Sequence, residues 1–256
     1  MSLTAKLLLS PLLVAQALHT RARLPRLPEA EGRREGVATP RRRATGRARR
    51  SPPLHSSPPS LRLLVTGDSS AAGVGVARQE HALAGPLAER LAEASGARVQ
   101  WRLLARSGLT TAQTLALLRT HPPGHFDIAV VVTGVNDVID QLPSQRAVAA
   151  RAALANWLRN ATGVWHVVFA PLPPVHRFPG LPQPLRWIAG SDARRHDRAL
   201  DEWARSRNDV SRAEVGLELN RSVMAVDGFH PGAPVYRQCA FAIAEHVAAL
   251  LQQRAG

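Results

Sequence analysis

The chain contains one cysteine, Cys239, in 256 residues. A lone thiol excludes an internal disulfide framework and any zinc site built on several cysteines. Aromatic residues amount to 4%, which leaves few stacking platforms for single-stranded nucleic acid. Lysine is absent beyond Lys6, and every other basic residue is arginine. With alanine also abundant, a GC-rich coding bias produces the same pattern, so the arginines are no sign of a purpose-built basic surface. Acidic residues are scarce, 19 against 33 Lys+Arg, for a net charge of +14. The excess is uneven, because residues 1–60 hold 12 basic and three acidic residues. It therefore marks a basic arm, and no specific nucleic-acid partner is expected. Nor is there an apolar run of the roughly 20 residues that a membrane-crossing helix needs.

A shorter apolar run does stand near the start. Leu7–Leu18 reads LLLSPLLVAQAL behind Lys6. It fits the hydrophobic region of a signal peptide, with Ala15-Gln16-Ala17 resembling a cleavage site. The dense arginines that follow argue against clean export, since positive charge tends to stay cytoplasmic. Residues 1–18 are thus open to three readings: a signal peptide, an uncleaved anchor at the membrane surface, or a plain tail. The anchor reading favours a membrane-associated protein, with exported and cytoplasmic locations as alternatives. Residues 19–60, rich in Arg, Pro and Ser, are expected to be a disordered linker, either solvated or lying against anionic headgroups.

From Leu61 the pattern changes. Leu61–Thr66, Val99–Ala105, Ile128–Thr133 and Val164–Ala170 are continuous apolar runs that read as buried strands, and Val210–Val215 adds a short fifth. Between them lie helical stretches: His81–Ser95, Thr110–Thr120, Ser144–Asn160, Leu185–Arg207 and Pro234–Arg254. Strands alternating with helices imply parallel pairing through right-handed crossovers, with helices on both sheet faces. Residues 61–256 are therefore expected to form one three-layer α/β/α sandwich, flavodoxin-like, on a parallel sheet of about five strands. Ligands bind such sheets at the carboxyl ends of the strands.

Those ends carry the unusual residues. Gly67-Asp68-Ser69-Ser70 follows the first strand and Ser107-Gly108 the second. Gly134-Val135-Asn136-Asp137 follows the third, and Asp227-Gly228-Phe229-His230 precedes the last helix. A serine hydroxyl is a weak nucleophile and needs an adjacent base. Ser69 lies just past a buried strand, and His230 is the candidate base. Asp227, three residues before it, can reach one imidazole nitrogen and fix the tautomer. A developing oxyanion needs convergent donors; the backbone N–H groups of Ser69 and Gly108 and the Asn136 side-chain amide could supply three. Position favours Ser69 over Ser70 as the attacking residue. Asp68 and Asp137 are expected to brace loops through backbone N–H groups. Phe178, Leu181, Leu185, Trp187 and Ile188 could line an acyl pocket or pack a helix on the sheet. Competing motifs are incomplete. Gly73-Val74-Gly75 lacks the third glycine of a dinucleotide fingerprint, there is no phosphate-loop lysine, and no residues have metal-ligand spacing. No metal or cofactor is expected.

The four blocks together, in this order and each at a strand end, resemble the SGNH hydrolases, the GDSL esterase and lipase family. That resemblance spans residues 61–250 and implies a serine esterase acting on small-molecule acyl esters, lipid-like ones included, through an acyl-enzyme. It assigns Ser69, Asp227 and His230 to catalysis and Ser69, Gly108 and Asn136 to the oxyanion hole. An O-acyltransferase or carbohydrate deacetylase using the same site is the alternative within the family. A non-catalytic flavodoxin-like binding module is the alternative outside it.

Overall fold

The computed structural model describes residues 3–40 and 60–255. Its frame is a six-stranded sheet. The strands are β1 (Glu35–Ala38), β2 (Ser60–Gly67), β3 (Arg98–Ala105), β4 (Ile128–Val132), β5 (His166–Phe169) and β6 (Val210–Arg212). Across the sheet they run β1-β3-β2-β4-β5-β6. Strands β2 to β6 are the expected parallel set, in the doubly wound order of a flavodoxin-like fold. The chain leaves β2 for β3 on one side and then crosses to β4 on the other. The switch point therefore falls at the carboxyl end of β2, where Gly67 meets Asp68.

The helices form the outer layers. On one face α3 (Ala84–Ser95) and α8 (Ala233–Ala255) cover the sheet. There Leu87, Leu91, Ile243 and Val247 pack on Leu63, Val65, Val99 and Val130. On the other face lie α4 (Thr111–Thr120), α6 (Ser144–Thr162) and α7 (Leu185–Arg205). Their Leu118, Leu154, Leu158 and Leu200 pack on Leu64, Val131, Val167 and Phe169. Neighbours Leu63 and Leu64 thus feed opposite cores, as the two-residue period of a strand demands. The ends are set locally. Thr110 and Gln113 form a capping box at the start of α4, and Gly96 and Gly163 close α3 and α6 in the left-handed conformation.

The structure adds to two expectations. The sheet is not wholly parallel, because β1 adds an antiparallel edge with Glu35 opposite Arg102 and Ala38 opposite Val99. The linker expected from 19 to 60 is, over 29–38, part of the folded body, with Ala30 and Ala38 buried. Edge pairing with β3 supplies the ladder bonds, and Gln79 reaches the Ala30 carbonyl through its side-chain amide at 3.1 Å. The rest of the expected linker, residues 41–59, lies outside the described residues.

The first helix, α1 (Leu3–Arg23), has 21 residues and contains the apolar run. It leans on the start of α7, where the Gln16 side chain donates to the Gln183 carbonyl at 2.7 Å and accepts from the Leu185 N–H at 3.1 Å. Among the described residues no helix is long and apolar enough to cross a membrane.

Candidate active site

Strand β2 ends in a glycine for a steric reason. Gly67 has φ +148°, and a Cβ there would run into the Val132 carbonyl oxygen of the neighbouring strand. That closeness lets the Asp68 N–H donate to the same oxygen at 3.0 Å. The chain then turns at once into α2 (Ser69–Ala72), a single helical turn that presents Ser69 at its first position. Asp68 braces the turn, as expected, by accepting the Ser70 N–H at 2.9 Å. Burial pushes the Asp68 carboxyl up to about 7, against the pull of that N–H and of the nearby His230.

Ser69 meets His230 across 161 residues of chain. Its Oγ lies 3.2 Å from His230 Nε2, and His230 Nδ1 lies 2.6 Å from Asp227 Oδ2. The other Asp227 oxygen accepts the backbone N–H groups of Phe229 and His230, both at 2.9 Å. Burial raises the Asp227 carboxyl, but the His230 ring and those two N–H groups outweigh it and hold the acid below its ordinary value. A carboxylate ionised in this position accepts the proton on Nδ1 and leaves Nε2 free to accept from the serine. The His230 loop sits tightly on the chain after α2. A Cβ on Gly75 would meet the Pro231 carbonyl and the His230 side chain, and Tyr236 donates its hydroxyl to the Val74 carbonyl at 2.7 Å. Gly75 is thus a packing requirement of this loop, whereas a Cβ on Gly73 would meet Ala30 and Ala82.

The remaining two site residues face the same space. Gly108 follows β3 with φ +82° and open space around it. Asn136 lies in α5 (Val135–Ile139), the short helix after β4, and its side-chain nitrogen donates to the Leu109 carbonyl at 3.0 Å. An amide nitrogen carries two N–H groups, so one stays available. Behind it, Asp137 accepts both the N–H and the hydroxyl of Thr111, at 2.9 and 2.6 Å, which ties α4 to α5. Its second support is Arg151 of α6, 3.6 Å away, with both side chains 0% exposed. Asp137 therefore braces the Asn136 loop, as the sequence suggested.

Ser69, Gly108, Asn136 and His230 line one cavity of about 260 Å³, with Asp227 behind the histidine. The expected apolar segment contributes one of its five residues, Phe178, whose ring meets Phe229 edge-on at 5.2 Å. Leu181 and Ile188 are buried in the core, Leu185 packs against it, and Trp187 is 49% exposed. Part of the apolar wall comes instead from residues not expected at the site: Val215, Leu217, Leu219 and Met224 on the irregular stretch before Asp227. Their alternate spacing is the one trace in the sequence, too short to separate from chance. Cys239 also reaches the cavity wall, and burial pushes its thiol up to about 12, so it stays protonated. Among the described residues no group of His, Cys, Asp and Glu could hold a metal ion.

The sequence model of the GDSL-like lipase and acylhydrolase family matches residues 65–238. A GDSL-like esterase of Mycobacterium tuberculosis is 30% identical over 235 residues, covering 88% of this chain and 72% of that protein. Among solved structures, a lipase from a goat rumen metagenome superposes with a TM-score of 0.58 at 18% identity, over 74% of this chain and 98% of its own. A family 3 carbohydrate esterase from Clostridium thermocellum gives 0.57 at 16%, over 77% and 100%. At such identities the structures speak for the fold alone. The doubly wound sheet, the Ser69–His230 contact at its switch point and these likenesses define a serine hydrolase acting on ester bonds. More particularly, the chain belongs to the GDSL-like lipase and acylhydrolase family.

Proposed function

We propose that the protein hydrolyses carboxylic esters of short to medium acyl chains through an acyl-enzyme on Ser69. The observation that carries this reading is the continuous relay Ser69 Oγ, His230 Nε2, His230 Nδ1 and Asp227 Oδ2, opening on an apolar cavity. Ser69 Oγ attacks the ester carbonyl carbon while His230 Nε2 takes its proton. Asp227 stays ionised and stabilises the imidazolium. The carbonyl oxygen, now negative, is met by the N–H groups of Ser69 and Gly108 and by the free N–H of Asn136. Collapse breaks the bond to the alcohol, which leaves with the proton from His230. A water molecule, deprotonated by His230, then releases the acid.

The wall chemistry supports an acyl occupant over a sugar. Phe178, Leu217, Leu219, Met224 and Phe229 offer contact area and no hydrogen bonds, whereas a carbohydrate needs several polar partners. The cavity volume suits a chain of a few carbons better than a palmitoyl tail. Hydrolysis of p-nitrophenyl esters by the full chain should rise from acetyl through butyryl towards octanoyl and fall at palmitoyl. A maximum at acetyl, with activity on acetylated sugars, would replace this reading by deacetylation. Release of ester rather than acid when an alcohol is added would replace it by acyl transfer.

Membrane-surface association belongs to the same proposal. Its support is the exposed apolar residues of α1, Leu12, Val14 and Leu18, followed by Arg23 and Arg26. Cosedimentation with anionic phospholipid vesicles, lost on Leu12→Asp, is the expected result, and indifference to the vesicles rejects it.

A further inference from the structure

The oxyanion donor Gly108 has no packing of its own, since nothing lies within 4 Å of where its Cβ would be. Something else must hold that turn. After Gly108, the Leu109 carbonyl is held by Asn136. Before it, the Ser107 N–H donates to the Glu29 carboxylate at 2.6 Å, across 78 residues of chain. Glu29 is in turn gripped by Arg34, which pairs with its second oxygen and donates to the Ala105 carbonyl at 2.9 Å, at the end of β3. The Arg34 carbonyl accepts the Leu103 N–H at 2.6 Å, and β1 follows directly. The same segment touches the nucleophile turn, with the Ala30 N–H donating to the Ala72 carbonyl at 3.3 Å and the Glu31 N–H to Ala77 at 2.9 Å. All of these anchor points, Glu29 to Arg34, lie outside the residues 65–238 matched by the family.

The geometry points to a role for this segment in catalysis: we propose that Glu29, clamped by Arg34, is a positioning residue that fixes the Ser107 peptide and so aims the Gly108 N–H at the oxyanion. The inference rests on the oxyanion hole proposed above. Pinning the Ser107 N–H sets the plane of the preceding peptide, so only the Ser107 torsions separate that fixed plane from the Gly108 N–H. Preorganised donors need no rearrangement when charge develops, and misplacement by about 1 Å can cost about 10²-fold in rate. Arg34 also answers an electrostatic need. An unpaired carboxylate one residue from the donor would oppose the negative oxygen, and the guanidinium neutralises it. Residues 29–38 then complete the active site from outside the family core.

The test uses the full chain, with kcat expressed per active site counted by the p-nitrophenyl butyrate burst. Glu29→Ala should lower kcat about 10- to 100-fold with KM within about twofold, because the ground-state carbonyl does not depend on the donor. Glu29→Gln should recover most of the loss, since an amide oxygen still accepts the Ser107 N–H. Arg34→Met should lower kcat, and adding Glu29→Gln to it should restore part, because the uncompensated charge is gone. An unchanged kcat in Glu29→Ala overturns the proposal. So does a loss that Gln fails to rescue and that tracks a fall in melting temperature, because that is the signature of a merely structural contact. Asn136→Ala, measured alongside, separates the two layers. If it keeps full kcat, the oxyanion assignment itself fails, and Glu29 with it.

Discussion

Among the described residues, serine and histidine come within hydrogen-bond reach in two places. At the switch point, Ser69 meets His230, whose other nitrogen lies on Asp227. On the last two strands, Ser211 of β6 sits between His166 of β5 and His246 of α8, at 2.9 and 2.7 Å. By distance alone the second place is the better contact. It lacks the other requirements. His166 takes a hydrogen bond with the Asn208 backbone where His230 has a carboxylate, and burial lowers its ring to about 4. An imidazole that resists protonation this strongly is a poor general base. Ser211 lines no part of the cavity that Ser69 opens into. Proximity of the two residue types is therefore not the signal. What sets the first place apart is a histidine held by a carboxylate and facing a cavity, the arrangement on which the proposed function rests.

The sharpest way to break that contrast is to remove each serine. Ser69→Ala should lower kcat for p-nitrophenyl butyrate by roughly 10⁴- to 10⁶-fold, the scale seen when a serine nucleophile is deleted. Retained hydrolysis would show that another group, Ser70 first, attacks. Next in size is Asn136→Ala. It removes one proposed oxyanion donor and also frees the Leu109 carbonyl. We expect kcat to fall about 10²- to 10³-fold with KM little changed, measured by steady-state kinetics across substrate concentration.

The positions of these residues were legible because Ser69, Gly108 and Asn136 follow strands that are continuous apolar runs, and Asp227 and His230 stand just before the last helix. Ser69, Gly108, Asn136 and His230 converge on one cavity as the motif order implied. Strand β1 was not legible. Its four residues, Glu-Gly-Val-Ala, include one sizeable apolar side chain, Val37, which is 49% exposed. What orders it is the free edge of β3, a partner that local sequence does not reveal. The pocket wall escaped for a related reason. Val215, Leu217 and Leu219 alternate too briefly to mark a wall, and Leu181, Leu185 and Ile188, expected there, are apolar because they fill or pack against the core. Of the expected five, Phe178 alone lines the cavity, beside the neighbouring Pro171 and Pro173. The clasp between Glu29 and Ser107 joins residues 78 positions apart in a stretch that composition marks as linker.

The two regions should also differ in the sign of their pH dependence. Asp68, beside Ser69, has its carboxyl raised by burial from 3.8 to about 7. The folded chain keeps a proton that the unfolded chain releases, so this group's stabilisation is complete below about pH 3.8 and is lost as pH rises through about 7. His166, beside Ser211, is lowered from 6.5 to about 4. The folded chain refuses a proton that the unfolded chain accepts, so its contribution is complete above 6.5 and lost as pH falls towards 4. At about 1.4 kcal/mol per pKa unit, each slope is worth at most a few kcal/mol. Urea denaturation at about pH 5 and about pH 8 reads both. Asp68→Asn should gain stability relative to the parent as pH rises, and His166→Asn as pH falls. The same sign for both would dissolve the distinction.

The smallest expected effect is the most discriminating. The Ser211 hydroxyl has one proton and two imidazole neighbours, so it donates to one Nε2 and accepts the N–H of the other. With the Asn208 backbone engaging His166, the consistent assignment has Ser211 donating to His166 and accepting from His246. Ser211→Ala then strands both rings at once, His166 in an almost fully buried position. Leaving such groups unsatisfied costs about 1–3 kcal/mol. We expect the urea midpoint to drop accordingly while kcat per active site stays within about twofold of the parent, since no atom of this cluster faces the ester. A tenfold fall in kcat with stability unchanged would mean that the second cluster communicates with the first. The α8 helix, which carries both His246 and the cavity residues Tyr236 and Cys239, would then be the element to examine.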